Sequence, residues 1–141
     1  MNIEVCAASC VYVPHKKHNT DAGYDCVAAE KVILLPFKPT MVDLGFKVAI
    51  PKGYEGQLRG RSGLATKGVT VHTGTIDCNF RGNVKAIMTY ISSDPNDAYH
   101  IEIGNRIAQL VFNKIESPAL LNVPELTVTA RGEDGFGSTG I

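Results

Sequence analysis

The run Val42-Asp-Leu-Gly-Phe-Lys-Val-Ala-Ile50 puts Val42, Leu44, Phe46, Val48 and Ile50 at every second position. Period two is the spacing at which side chains emerge on the same side of a strand, so this face is built to be buried and its opposite is not. No stretch of twelve residues elsewhere carries a convincing 3.6-residue apolar repeat, which removes helical bundles from the possible folds. Ile3 to Val13, Lys31 to Leu35, Asn83 to Ile91 and Arg106 to Ile115 are rich in Val, Ile, Thr and Tyr and read as further strands. Pro36, Pro39, Pro51, Pro95, Pro118 and Pro124 punctuate the junctions. Short strands at this spacing predict an all-β sandwich or barrel. A single short helix fits, over Ser62 to Lys67, with Ser62 as its cap and Gly68 as its stop.

With 141 residues the chain makes one domain with a real core. Its 14 basic and 14 acidic residues cancel, and the only basic cluster is Lys16-Lys17. That balance gives no electrostatic footprint for nucleic acid or an anionic membrane. No apolar run nears the ~20 residues that span a bilayer, and the start Met1-Asn-Ile-Glu-Val lacks the pattern of a signal peptide, so a soluble intracellular protein is expected. Cys6, Cys10, Cys26 and Cys78 match no zinc or redox spacing and read as reduced thiols. The histidines offer no ligand spacing beyond a loose His15/His18 pair, read as a solvated loop. There is no G-x-S-x-G elbow, and Lys67 lacks the upstream glycines of a Walker loop.

What the chain does hold is a series of short segments that join glycine to polar groups. Gly60-Arg-Ser-Gly-Leu-Ala65 brings a guanidinium, a hydroxyl and a helix start together, which suits an anion and equally suits an ordinary capped turn. Gly74-Thr-Ile-Asp-Cys-Asn-Phe-Arg-Gly82 reads as a tight hairpin with Asp77 near its tip; an Asp there commonly bonds its own backbone. Asp21-Ala-Gly-Tyr-Asp25 offers two carboxylates for turn chemistry or a hard cation. Gln109 lies inside an apolar strand, where a buried amide needs partners. The end of the chain, Arg131-Gly-Glu-Asp-Gly-Phe-Gly-Ser-Thr-Gly-Ile141, cannot bury itself yet carries a guanidinium, a ring and two hydroxyls among glycines. Such a tail reads as a disordered terminus or as a mobile clamp for a phosphorylated planar ligand.

Taken in order, Ala22-Gly23-Tyr24-Asp25, Arg61 to Ala65, Gly74 to Asp77 with Phe80-Arg81-Gly82, Gly104 to Leu110, and Arg131-Gly132 with Gly135 to Gly140 resemble the five motifs of the trimeric dUTP pyrophosphatases, or dUTPases. The resemblance runs from about Asp21 to the C-terminus. It implies a jelly-roll-like, distorted β-barrel over residues 1–130, a mobile glycine-rich tail over residues 131–141, and a homotrimer with active sites shared between chains. One chain would supply the first, second and fourth motifs, another the third, and the last the tail. The activity implied is Mg²⁺-assisted hydrolysis of dUTP to dUMP and pyrophosphate, which lowers dUTP and supplies dUMP for dTMP synthesis.

Carried over by position, Asp77 would hold and activate the attacking water and accept the sugar 3′-hydroxyl. Phe80, where the family usually has Tyr, would exclude a 2′-hydroxyl by shape. Gly74 and Lys85 would read uracil through backbone groups, with Thr75 and Ile76 beside them. Arg61, Ser62, Gly63 and Gln109 would hold the phosphates, and Asp25 would sit near Mg²⁺ through its water shell. Arg131 and Ser138 would engage the terminal phosphate, and Phe136, next to Gly137, would stack on the base. Asn105 replaces the usual Asp of the fourth motif and Lys85 a frequent Gly; the first bears on a structural salt bridge. Two rivals are a dCTP deaminase, which needs a Glu that Asn83-Val-Lys-Ala-Ile-Met88 does not contain, and a binding trimer without turnover.

Overall fold

The computed structural model describes residues 1–140; Ile141, the end of the expected tail, lies outside them. Eleven strands are present among the described residues: β1 (Glu4–Ala7), β2 (Tyr24–Val27), β3 (Val32–Leu34), β4 (Thr40–Asp43), β5 (Phe46–Ala49), β6 (Tyr54–Arg59), β7 (Val69–Val71), β8 (Gly74–Ile76), β9 (Lys85–Tyr90), β10 (Tyr99–Ile101) and β11 (Arg106–Lys114). Between β6 and β7 runs one helical turn, α1 (Ser62–Ala65), and a 3-10 turn spans Cys10–Tyr12. The larger sheet has the order β2-β11-β6-β8 and the second β4-β9-β7; β1 pairs with β5 and β3 with β10. All of these pairs are antiparallel. The ladders do not join into one closed cylinder, so the all-β, jelly-roll-like expectation is met by an open arrangement.

The core lies where the apolar faces of the sheets meet. Leu58 and Leu110 from the larger sheet, Val42, Ala86 and Met88 from the second, and Phe46, Leu34 and Ile101 from the pairs are almost fully buried. The five alternating residues of 42–50 all face this core. They do not form the single strand their spacing suggests. The chain turns at Leu44-Gly45, so β4 joins β9 while β5 joins β1. Gly45 has φ +73, its N–H donates to Asp43 Oδ1 at 2.7 Å, and an added Cβ would lie 2.7 Å from Tyr12 Cγ. Alternation records which side is inward and is blind to the partner strand, so it survives a change of sheet. Ile3 to Val13 divides similarly, β1 ending at Ala7 before the 3-10 turn.

Strand β11 departs from simple alternation in a way that builds the site. Its register against β2 shifts between Arg106 and Ala108, and Ile107 and Ala108 are both buried. An extra residue in one strand is a β-bulge, and it moves side chains beyond it to the other face. Arg106 and Gln109, three apart, therefore look outward together. Just upstream, Asn105 Oδ1 accepts from the Glu102 N–H at 2.9 Å, so an amide oxygen serves in this turn where the family's carboxylate would stand.

The chain leaving α1 is fixed by a polar knot. The helix stops at Ala65, short of the Lys67 expected, and Thr66 takes the cap position; Gly68, with φ +81, turns the chain into β7, and Ile91 N–H donates to Gly68 O at 2.8 Å. Beside it Asp97 Oδ2 accepts from the Tyr90 hydroxyl at 2.6 Å and the Ser92 hydroxyl at 2.9 Å, while Oδ1 accepts from Ala98 N–H. The Tyr90 hydroxyl, then Ser92 and Ala98, hold the Asp97 carboxyl below its ordinary value, and the bond to Asp97 raises Tyr90. The folded carboxyl binds its proton less readily than the unfolded one. Its contribution is complete above the ordinary carboxylate range and is lost as pH falls through the depressed folded value. Tyr90→Phe should therefore lower stability at neutral pH, and its deficit against the parent should shrink on acidification through that window, as read by urea unfolding at both pH values.

Candidate active site

The residues expected to hold phosphate come together at one end of the larger sheet. Asp25 on β2, Arg61, Ser62 and Gly63 at the start of α1, and Gln109 on β11 line a cavity of about 750 Å³. Asp25 is its hub: Oδ1 lies 3.1 Å from Arg61 Nε and Oδ2 3.7 Å from Arg106 Nη1. Arg61 Nη1 also donates to Arg106 O at 3.0 Å, so β2, β11 and the start of α1 are tied by one carboxylate and one guanidinium. Gln109 Nε2 donates to Gly60 O at 2.8 Å, which answers the demand of a half-buried amide. Gly23 makes room for it, because a Cβ there would collide with the Gln109 side chain.

Ser62 is not the helix cap. Arg61 occupies that position with extended backbone, and no side-chain capping bond forms. The reason is that α1 is a single turn of four residues whose start is set by the chain leaving β6. Ser62 and Gly63 are exposed at the cavity, where the first N–H groups of a helix have no acceptor of their own.

Asp21, read from the sequence as one of two carboxylates, also lines this cavity, as do Lys17, Lys67 and Arg106, for which the sequence indicates no role in the site. The pair Lys16-Lys17 reads as solvated, and only the backbone bridge between His15 and Asp25 brings it here, with Asp25 N–H donating to His15 O at 2.7 Å. Lys16 itself turns away, its Nζ 4.5 Å from the Tyr24 ring centre. Lys67 follows α1 closely enough that its place could have been read from the motif. Four cations thus face two carboxylates, a balance suited to a polyanion.

A second cavity, about 310 Å³, gathers Gly74, Thr75, Ile76, Asp77, Phe80 and Lys85, with Met41 and Ile87 on its apolar side. The hairpin expected here is absent. β8 pairs with β6, and β9 pairs with β4 and β7, so residues 77–84 cross from one sheet to the other. What the sequence placed at a hairpin tip is a turn closed by Phe80 N–H donating to Asp77 O at 3.1 Å. Asp77 is exposed and Phe80 stands at the rim, while the Ile76 side chain is in the core and can offer a ligand only its backbone.

The two cavities share no lining residue, and among the described residues none beyond Ile115 lines either. After β11 the chain is exposed, including Leu120, Leu121, Leu126 and Val128. Arg131, Phe136, Gly137 and Ser138 are held only by local turns, such as Ser138 N–H to Gly135 O at 3.0 Å and Arg131 Nε to Asp134 O at 2.8 Å. Within one chain, then, residues 131–140 meet neither cavity.

Among the described residues no cluster of three His, Cys, Asp or Glu could chelate a metal. Asp25 has both oxygens beside guanidinium groups, so it is not free to give a cation a dry coordination shell. No helix of the described residues is long and apolar enough to cross a membrane.

A family model described as dUTPase matches residues 10–140. A deoxyuridine 5'-triphosphate nucleotidohydrolase of Zymomonas mobilis is 47% identical over 123 residues, covering 85% of this chain and 82% of that protein. The enzyme of the same name from Fusobacterium nucleatum is 43% identical over 145 residues, covering 99% and 97%. Among solved structures, the Staphylococcus bacteriophage 80alpha dUTPase with dUPNHPP superposes with a TM-score of 0.89 at 34% identity, covering 99% of each chain. The dUTPase from phage phi11 of S. aureus gives 0.80 at 30% identity, covering 89% and 98%.

The packing of Gly23 on Gln109 yields a test. Gly23→Ala should displace the amide from Gly60 O and weaken binding of inorganic triphosphate about tenfold, the equivalent of one hydrogen bond. Calorimetric titration of the parent and the variant reads this directly.

Proposed function

This chain belongs to the dUTPase family, and from that premise we propose that it hydrolyses dUTP to dUMP and pyrophosphate in active sites shared between three copies. The observation that carries the shared site is the separation of the motif residues into two cavities and a detached tail. A nucleoside triphosphate needs a base pocket and a phosphate cradle side by side, so a neighbouring copy must supply the half that each cavity lacks. The exposed leucines after β11 also call for cover by another chain.

In this reading uracil enters the cavity between β8 and β9 and bonds backbone groups of Gly74 and Lys85. The Phe80 ring packs against deoxyribose. Asp77 accepts the 3′-hydroxyl with one oxygen and a water proton with the other, which an ionised carboxylate has enough acceptor sites to do. The phosphates lie in the neighbouring copy's cavity on Arg61, Ser62, Gly63 and Gln109, with Lys17, Lys67 and Arg106 adding positive charge. The tail, residues 131–141, closes over them from the remaining copy, Arg131 and Ser138 toward the terminal phosphate and Phe136, beside Gly137, over the base. Water then attacks the α-phosphorus in line, the bond to the α,β-bridging oxygen breaks, pyrophosphate leaves and Asp77 takes the proton. Mg²⁺, when bound, would spread phosphate charge, with Asp25 touching its water shell. Positioning and preorganised charge supply most of the rate. The product dUMP would feed dTMP synthesis as dUTP falls.

Asp77→Asn should cut turnover ~10²–10⁴-fold while nucleotide binding stays within a few-fold, since an amide still bonds the sugar and cannot accept the proton. Pyrophosphate release and a binding titration measure the two; unchanged turnover would take Asp77 out of the mechanism. Asp77→Asn chains co-refolded with chains ending at Gly132 should regain activity that neither has alone, because mixed assemblies can pair an intact Asp77 with an intact tail. No gain in the mixture would mean that sites are not shared.

A further inference from the structure

The loop that carries Asp77 and Phe80 is fastened by a residue the reaction does not itself use. Arg81 turns its side chain back under the loop, and Nη1 donates to both Cys78 O and Phe80 O at 2.8 Å. Phe80 N–H closes the same turn onto Asp77 O. The Phe80 ring rests against Gly82, where an added Cβ would lie 2.6 Å from Phe80 Cζ and 3.0 Å from Cε2. Downstream, Asn83 Nδ2 donates to Asp43 Oδ2 at 3.1 Å and ends the crossing segment. Phe80 is 44% exposed and has no hydroxyl to tether it, so neither the core nor a hydrogen bond of its own sets the ring's height. A ring that excludes one oxygen atom by shape must be held to within a fraction of that atom's radius. Two charge-assisted bonds from one guanidinium, together with a glycine floor, provide that restraint.

We propose that Arg81 is a positioning residue for sugar selectivity: by clamping the carbonyls of Cys78 and Phe80 it holds the Phe80 ring against Gly82, at the height that admits deoxyribose and excludes ribose. The proposal rests on dUTP as the substrate. It does not require Arg81 to touch the nucleotide. Loss of the clamp lets the turn breathe, so the ring withdraws and a 2′-hydroxyl is accommodated. Gly82→Ala disturbs the same restraint from the other side, because the added methyl forces the ring off its seat while Arg81 stays in place.

The test compares the parent with Arg81→Met, which keeps an unbranched apolar stem and removes the donors, and with Gly82→Ala. The ratio of kcat/KM for dUTP to that for UTP should fall about tenfold in each variant. Backbone hydrogen exchange of the free proteins should show the Phe80 amide exchanging severalfold faster in Arg81→Met. Melting curves screen for global loss of fold, and Gly82→Ala keeps the ratio test available if Arg81→Met fails that screen. A ratio within twofold of the parent in the folded variants overturns the proposal, as does an equal loss on both nucleotides, which marks Arg81 as merely structural. If the parent releases no pyrophosphate from dUTP, the activity reading fails, and the clamp is then judged on Phe80 exchange alone: unchanged exchange overturns it.

Discussion

Strand β11 is the member on which the larger sheet depends, and its bulge at Ile107 is the constraint that turns that sheet into a site. The strand is hydrogen-bonded to β2 on one side and β6 on the other, and it sends Ile107, Ala108 and Leu110 into the core. With strict alternation Arg106 and Gln109 would face opposite ways, one of them into the apolar interior. A buried, unpaired guanidinium would cost several kcal/mol. The bulge removes that conflict and delivers both polar groups to one cavity. It also brings Arg106 to Asp25, so the strand that anchors the fold also anchors the charge network.

Asp25 and Cys26 show how two successive residues are put to opposite uses. Cys26 points inward and is fully buried; desolvation pushes its thiol up to about 12, which keeps it neutral and inert. Asp25 points outward into the cavity between two guanidinium groups. Its side chain is only 19% exposed and that of Arg61 30%, so the pair is shielded more than an ordinary surface bridge, for which the usual contribution is about 0–1 kcal/mol. The network's larger role is geometric. It fixes Arg61 at the start of α1 without using Ser62, whose hydroxyl stays available to an anion.

The rest of the site is arranged by division. The larger share of the polar groups lies at the end of the larger sheet, the rest at the crossing from β8 to β9, and the described residues of the tail reach neither. A single chain therefore presents two separate cavities and an exposed apolar arm. Assembly would complete all three at once and couple activity to the presence of neighbours.

The alternating run at 42–50, the Val- and Ile-rich strands and the ordered glycine motifs determined that the chain is all β, which residues face the core, and which family it belongs to. All of that is local: alternation fixes a side, and a motif fixes a composition. The break at Gly45, the bulge at Ile107, the loss of the hairpin at 74–82 and the arrival of Lys17 and Lys67 at the cavity of Asp25 and Arg61 depend on which strand lies beside which. Strand pairing joins residues far apart in the chain and depends on how whole faces fit together, so period-two spacing carries no record of it. Only the tertiary structure could therefore decide that Arg106 and Gln109 share a face, and that the residues around Asp77 and those around Arg61 stand apart in a single chain.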